Sequence, residues 1–477
     1  MEELRRARDA AAGADLVELR LDGVDRPDVA AALEGRLRPV IVTCRPKWEG
    51  GAFEGSEEER RQILHDAIIA GAEFVDLEMR AGFTQDLVRL RRGRGIVLSH
   101  HSFDEQLPDV HETLRTLLST GAEVVKLACT VRSLVDTLPL YEVAGHPDFR
   151  SAESESNRVL IAMGEPGAST RVLAARLGNR WTYAGASAPG QIPASRLLGE
   201  YRYRRIRADA ALYAVVGNPV ARSLSPAMHN AGFDHLGLNA AYVSLEARDA
   251  DDFVVFARAL KLRDASITAP FKVDMLTRVD SSDALASEIG AINTVSVKGD
   301  RWLGSNTDVA GFLTPLKGRM VLKGTRAVVL GAGGAARAVA VALKHEGAAV
   351  SLSARRIGEA RQVAATIGVT AGAYPPAPGT WDVLVNATSG GSRDGDPSPM
   401  EGIALDGEIV FDLVYSPSET ALIRQACEAG CWTIGGIEML IGQAEHQFET
   451  WTGHAPPAGL FREAVEAAPG WKAGVRS

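Results

Sequence analysis

RAVVLGAGGAARAVAVALKHEG, residues 326–347, reads as a β run, a glycine turn and an alanine-rich helix in direct succession. Gly331, Gly333 and Gly334 remove side chains where a pyrophosphate must approach the backbone, and the helix opening at Ala335 turns its positive end toward that charge. Glycines alone are a weak signal; placed between a strand and a helix they predict a dinucleotide-binding lobe. The next β run, AAVSLSARR (348–356), ends without the Asp or Glu that grips a ribose 2′-hydroxyl. Arg355 and Arg356 stand there instead, which favours a 2′-phosphate and hence NADP. VLVNATSGG (383–391) supplies a further strand end, with Asn386 and Thr388 expected to line the nicotinamide side of the cleft.

Outward from this lobe the chain is ordinary globular protein. It has 477 residues, 46% of them hydrophobic and 23% charged, so at least two α/β domains are expected and a disordered or collagenous chain is excluded. The 52 Lys and Arg against 60 Asp and Glu give a net charge of −8 without a long basic block, which argues against nucleic acid as a partner. Cys44, Cys129, Cys427 and Cys431 include no CxxC, and no ligand-spaced His/Cys cluster predicts a metal. They read as reduced thiols of a cytoplasmic protein. The charged N-terminus and the lack of 18 consecutive apolar residues give no indication of a secretory signal or a membrane span.

The first two hundred residues alternate β-rich runs with helical segments: 15–22, 39–45, 73–79, 95–101, 122–129, 158–164 and 181–187. This alternation predicts βα units around a parallel sheet, a (β/α)8-type barrel whose strand ends carry the site. Glu18 and Arg20 share one face of the first run. Arg45, Glu49, His101 and Lys126 gather at neighbouring strand ends. Lys126, inside VVKLAC, is either an ion-paired or snorkelling lysine or an amine that forms a Schiff base with a ketone; an ordinary lysine is almost wholly protonated at pH 7, so the second reading expects a pocket favouring the uncharged amine. His101 is the natural acid and base beside it. Other histidines, His65 and His111 among them, read as helix surface residues.

A new texture begins near 206–211 with ALYAVVGNPVARSLSPAMHNAGF. Ser223 and Ser225 either bind a polar ligand or cap the helix that follows. Thr268, Lys272, Asn293, Asn306 and Asp308 lie among apolar flanks, as in a pocket that recognises hydroxyl groups. Lys272 and Asp308 form either a proton-transfer pair or a plain salt bridge.

Two resemblances rest on these motifs. ADLVELRLD, VTCRPKWEGGAFEG, SHHSF, VVKLA and SAPGQI resemble type I 3-dehydroquinate dehydratase over about residues 10–198. The resemblance implies an imine on Lys126, His101 as the proton-transfer group with Glu18 orienting it, Arg171 as carboxylate clamp, and substrate contacts from Arg20, Arg45, Glu49, Ser187 and Gln191. GNPVARSLSP, ITAPFK, GAINTV, NTDVAGF, GAGGAARA, NATS, DLVYSPSET and GGIEMLIGQAEHQFETWTG resemble shikimate dehydrogenase over about 212–470. That implies Lys272 and Asp308 as the catalytic pair, with substrate contacts from Ser223, Ser225, Thr268, Asn293, Tyr415 and Gln443. Together they predict a barrel over 1–205, a substrate lobe over 212–310 completed by 437–470, and a Rossmann-like NADP lobe over 311–436.

Departures accompany them. Ser102 stands where the dehydratase family has aspartate, and Phe271 and Ala354 replace a histidine and an asparagine frequent in the dehydrogenase family. Only seven barrel strands are visible, the first of the family's eight being absent, so either the barrel is built open or the true start lies upstream. The expected activity is dehydration of 3-dehydroquinate followed by NADPH-dependent reduction of 3-dehydroshikimate. Its rivals are a dehydrogenase preferring quinate or NAD, and a barrel serving only as a structural or partner-binding module.

Overall fold

A computed structural model of the chain describes residues 1–11, 13–103, 107–149, 157–393, 395–469 and 471. It divides into two compact units, Met1–Leu198 with Arg202–Ala210, and Gly199–Tyr201 with Ala211–Ser477.

The first unit is built on a parallel sheet of β1 (Val17–Arg20), β2 (Val40–Thr43), β3 (Phe74–Glu78), β4 (Ile96–Ser102), β5 (Val124–Thr130) and β6 (Arg158–Met163), in that spatial order. Helices connect successive strands, and their starts are encoded locally: Ser56 and Glu59 form a reciprocal capping box for Glu57–Ile69, and Asp109 caps Val110–Ser119. Leu77, Leu98, Val125, Leu127 and Leu160 alternate along the strands with the side chains described below and are buried. On the opposite face Ile41, Val97, Val124, Val159 and Ile161 cluster with Phe74, Trp181 and Tyr183.

The expected seventh strand, WTYAGAS at 181–187, is not a strand: no ladder joins it to β6. The outer edge of β6 is already occupied. Asn179 accepts from the Leu160 N–H (2.9 Å) and donates to the Leu160 carbonyl (2.9 Å), while Thr170 Oγ1 accepts from the Ala162 N–H (3.1 Å) and Arg171 Nη1 donates to the Ala162 carbonyl (3.0 Å). Side chains thus take up ladder groups that a strand would need. Residues 181–187 still contribute through packing, with Trp181 edge-on to Phe74 at 5.3 Å.

The second unit contains two sheets. β7 (Ala211–Gly217), β8 (Ala240–Glu246), β9 (Asp264–Ile267), β10 (Ser281–Ser282), β11 (Thr294–Lys298) and β12 (Arg301–Ser305) lie in the order β10-β12-β11-β9-β7-β8, with β11 antiparallel to both neighbours. β13 (Arg326–Leu330), β14 (Ala349–Ser353), β15 (Thr370–Gly372), β16 (Val383–Asn386), β17 (Ile409–Asp412) and β18 (Trp432–Gly435) are all parallel, in the order β15-β14-β13-β16-β17-β18. This is the doubly wound order with its switch point between β13 and β16, where such sheets bind nucleotides. Helix Gly436–Thr452 returns to the first of these sheets. It crosses helix Asp308–Leu313 at glycines: a Cβ on Gly311 would lie 2.6 Å from Gln443 N, and one on Gly442 3.0 Å from Gly311 Cα. That close approach carries Gln443 up to Asp308.

Candidate active sites

Alternation along the strands of the first unit places Glu18, Thr43, Asp76, Glu78, Ser99, His101 and Lys126 on one face, an ionisable layer above the apolar cluster. Arg45, at the end of β2 and 3% exposed, is its hub: Nη1 donates to Glu78 (2.8 Å) and Ser99 Oγ (2.7 Å), and Nη2 lies 2.8 Å from Asp76. Expected to be a substrate contact, Arg45 is held among protein carboxylates. Glu78 also pairs with the buried Arg60. Asp76 lies 3.6 Å from Lys126 Nζ. Burial pushes the Asp76 carboxyl upward, but Arg45, Lys126 and the Ser99 hydrogen bond outweigh it and hold the group ionised.

His101 is oriented by Glu49, not by the expected Glu18. Glu49 Oε1 accepts from the His101 backbone N–H and lies 3.0 Å from Nδ1, whereas Glu18 accepts from Thr43 Oγ1 at 2.8 Å. Glu49 sits in a one-turn helix, Lys47–Glu49, that ends in the left-handed Gly50 (φ 75°), so strand periodicity gives no hint of its reach. Burial pushes Glu49 up to about 7, and burial with the nearby cations Lys126, Arg45 and Arg20 drives His101 well below its ordinary range. A neutral imidazole donating through Nδ1 leaves Nε2 free to take a proton.

Arg171 is 5% exposed, with the Ala162 carbonyl as its only hydrogen-bonded acceptor among the described residues; burial pulls it down to about 10, with Glu165 opposing. A buried guanidinium without a bonded carboxylate suits an anion. Arg20 forms a fork with Asp22 (2.9 and 2.8 Å), and Asp22 in turn accepts from the Ala52 N–H. Ser187 and Gln191 bond to one another (2.9 and 3.1 Å) beyond the end of the Tyr183 segment.

In the second unit Lys272 Nζ lies 2.5 Å from Asp308 Oδ2. Asn293 donates to the other Asp308 oxygen at 2.8 Å and to Gln443 Oε1 at 3.3 Å. Asn306 accepts from the Asp308 N–H (3.0 Å) and donates to the Ala291 carbonyl (2.9 Å). Gln447, absent from the sequence-based set, continues the network: it donates to Asn293 O and Thr294 Oγ1, both at 3.0 Å, and accepts from Ser266 Oγ at 2.7 Å. Ser223 Oγ accepts from the Ser225 N–H at 3.3 Å where helix Ser225–His235 begins, which is helix-start bonding. Thr268 follows β9 directly, four residues before Lys272, and its N–H donates to Val216 O. Tyr415 packs against the core that the C-terminal helices share with β7 and β8.

The glycine turn suits a dinucleotide. Gly331 has φ 120° and a Cβ there would lie 3.1 Å from the Ala387 carbonyl, whereas a Cβ on Gly333 would meet open space. Helix Gly334–His345 starts at this turn with Ala335 in its first positions, and a Cβ on Gly334 would sit 2.7 Å from Lys272 Cβ. The stem of Lys272 in one lobe therefore lies against the glycine turn of the other. Arg355 and Arg356 are exposed just past β14, with Arg356 paired to Glu359 at 2.8 Å. Asn386 does not line the cleft as expected: it is fully buried, donates to Gly390 O and Asp412, and accepts from the Thr388 N–H and hydroxyl. It braces the turn that carries Thr388.

Residues 1–208 match the model of Type I 3-dehydroquinase, 215–295 that of the shikimate dehydrogenase substrate binding domain, and 436–466 that of the shikimate 5'-dehydrogenase C-terminal domain. A chloroplastic bifunctional 3-dehydroquinate dehydratase/shikimate dehydrogenase of Arabidopsis thaliana is 33% identical over 94% of this chain and 79% of its own length. The chain belongs to this bifunctional family. A shikimate dehydrogenase (NADP(+)) of Halobacterium salinarum is 42% identical over 54% of the chain and 98% of its own length. Among solved structures, shikimate dehydrogenase of Aquifex aeolicus superposes with TM-score 0.51 at 36% identity, covering 55% of this chain and 99% of that one. The Thermus thermophilus enzyme, in complex with NADP(H) and shikimate, does so with TM-score 0.50 at 37% identity, covering 54% and 99%.

Within the bifunctional family the departures become interpretable. Ser102 is buried with its carbonyl accepting from Thr130 Oγ1 (3.2 Å), and Glu49 rather than residue 102 holds His101. Phe271 is buried with its N–H bonded to Thr268 O. One group of metal-type ligands occurs among the described residues, His111, His146 and Asp148. His111 lies part-exposed on helix Val110–Ser119, as expected, and Arg115 reaches both His111 Nδ1 (3.2 Å) and Asp148 (3.5 Å), so a cation already lies on those atoms.

Proposed function

We propose that this chain dehydrates 3-dehydroquinate to 3-dehydroshikimate in its first unit and reduces that ketone to shikimate with NADPH in its second. The observation that carries the reading is the pairing, on one polypeptide, of the Glu49–His101 couple near Lys126 with the Lys272–Asp308 couple beside Gly334. In the dehydratase half Lys126 condenses with the substrate ketone and releases water. His101 takes the proton from the neighbouring carbon and returns it to the departing hydroxyl, which leaves as a second water. Hydrolysis of the imine restores the lysine. Arg171 is suited to the carboxylate, and Arg20, Arg45, Glu49, Ser187 and Gln191 to orienting the ring around it.

In the reductase half NADPH supplies the hydride when bound. Gly331, Gly333, Gly334 and Ala335 suit its pyrophosphate, Arg355 and Arg356 its 2′-phosphate, and Thr388, braced by Asn386, its nicotinamide side. Lys272 donates the proton to the carbonyl oxygen and Asp308 holds the ammonium in place, while Ser223, Ser225, Thr268, Asn293, Tyr415 and Gln443 are suited to carboxylate and hydroxyl groups. Cytoplasmic residence is part of the reading: all four cysteines are free thiols, and among the described residues no helix is long and apolar enough to cross a membrane. The Arabidopsis relative is chloroplastic. The open sheet favours a second reading, a first unit retained only as a structural module.

The test is borohydride trapping with 3-dehydroquinate on the whole chain, followed by peptide mass analysis, alongside turnover of Lys126→Met and Lys272→Met. Expected are an adduct at Lys126, loss of dehydration only in Lys126→Met, and loss of reduction only in Lys272→Met. A wild-type chain that reduces 3-dehydroshikimate but neither traps nor dehydrates 3-dehydroquinate would overturn the first half and leave the module.

A further inference from the structure

The surroundings of Lys126 run against the expectation of a pocket that favours an uncharged amine. Nζ lies 3.6 Å from the Asp76 carboxylate, which is fully buried and fixed by Ser99 Oγ at 2.5 Å and by Arg45 at 2.8 Å. The ring of Tyr183 covers Nζ with its centroid at 4.3 Å. Both the anion and the electron-rich ring face stabilise positive charge at that atom. The ring acts as a neutral phenol, since burial, reinforced by Glu18 and Asp76, keeps its ionisation far above neutral pH. Tyr183 reaches this place from the segment that never joined the sheet, anchored by Trp181 against Phe74 and by Arg180 over both rings.

The chemistry resolves the conflict. An ammonium and a ketone give a protonated imine and one water, so the unit charge at Nζ is the same before and after condensation. When His101 removes the neighbouring proton, the electron pair flows into the C=N bond and the positive charge is neutralised. Loss of the hydroxyl as water, with the proton returned from His101, regenerates the protonated imine, and its hydrolysis returns the ammonium. An imine left unprotonated would be a poor electron sink for that proton removal.

We propose that Tyr183 and Asp76 are positioning residues that hold the imine of Lys126 in its protonated form, the ring face of Tyr183 being the element that matters and its hydroxyl dispensable. This rests on the Schiff-base reading above. The test compares wild type, Tyr183→Phe, Tyr183→Leu and Asp76→Asn in the full chain by three readouts with 3-dehydroquinate: adduct yield with borohydride, which reduces an imine in either protonation state, adduct yield with cyanoborohydride, which requires the protonated one, and turnover. Tyr183→Phe should match wild type in all three. Tyr183→Leu and Asp76→Asn should keep the borohydride adduct while cyanoborohydride adduct and turnover fall by about tenfold or more. The proposal is overturned if Tyr183→Leu keeps its turnover, or if both adducts and turnover fall in the same proportion, which is what lost packing alone would do. A wild-type chain that yields no adduct with either reagent overturns the Schiff-base reading itself.

Discussion

At the scale of single residues, the pair Glu49 and His101 sets the pH behaviour of dehydration. Glu49 Oε1 is placed to accept the Nδ1 proton, and burial raises its carboxyl to about 7. Above that pH the carboxylate is ionised and fixes the tautomer with Nε2 free; below it the protonated carboxyl loses its hold on Nδ1–H. Dehydration, measured as kcat/KM against pH, should therefore rise through about pH 7. Glu49→Gln should lower it roughly 100-fold and remove that limb, because an amide cannot follow the charge. Glu18→Gln, at a carboxylate whose hydrogen bond is with Thr43 and not with His101, should leave the limb in place.

At the scale of elements, two close approaches make claims of their own. Gly334 opens the nucleotide-binding helix against the stem of Lys272, so a methyl group there has to displace the lysine at its Cβ, 2.7 Å away, and not at a mobile tip. Gly334→Ala should lower reduction about tenfold or more while dehydration is unchanged, both rates being read on the same preparation. Asn179 substitutes for a strand at the edge of β6, and Asn179→Ala leaves the Leu160 N–H and carbonyl unmet. A loss of about 1–3 kcal/mol is expected in the denaturant stability of the first unit, followed by its dehydration activity, with Asn179→Asp in between because it still accepts but no longer donates. The same elements show what periodicity does and does not reveal. The strand–glycine–helix succession of 326–347 was legible because its signals are local, and the charged strand ends of the first unit were legible through their period of two. Asp76 and Glu78 obey that same period in EFVDLEM and were open to the same reading. The place of Glu49 at a strand end was legible too, but its hold on His101 was not, because that reach depends on the left-handed turn at Gly50 and on packing between loops. Nor was the fate of 181–187: its composition suits a strand, but whether it pairs depends on Asn179, Thr170 and Arg171 having taken the edge first.

At the scale of the whole molecule, each unit holds the groups proposed for its own reaction. Lys126, His101, Glu49 and Arg171 lie in the first, and Lys272, Asp308, Asn293 and the glycine turn in the second. Stability need not respond to pH in the same way in the two. In the second, His229 is fully buried against Tyr242 (ring centroids 4.4 Å apart), and burial pushes it down to about 3. An unfolded histidine titrates near 6.5, so this contribution to stability is complete above that pH and is lost as pH falls toward 3. By pH 5 the loss amounts to about 2 kcal/mol. The urea midpoint for loss of reduction should drop accordingly between pH 7 and 5, and His229→Phe, which keeps a ring in the stack, should flatten that drop. Catalysis makes the stronger claim of independence. A mixture of Lys126→Met and Lys272→Met chains contains one intact unit of each kind but never both on one polypeptide. If each unit works from its own residues, the mixture should convert 3-dehydroquinate to shikimate after a lag in which free 3-dehydroshikimate accumulates, and the lag should shorten as the chain retaining Lys272 is added in excess. A mixture that forms no shikimate, although the Lys126→Met chain reduces added 3-dehydroshikimate, would mean that the dehydrated intermediate is not released from a chain that cannot itself reduce it.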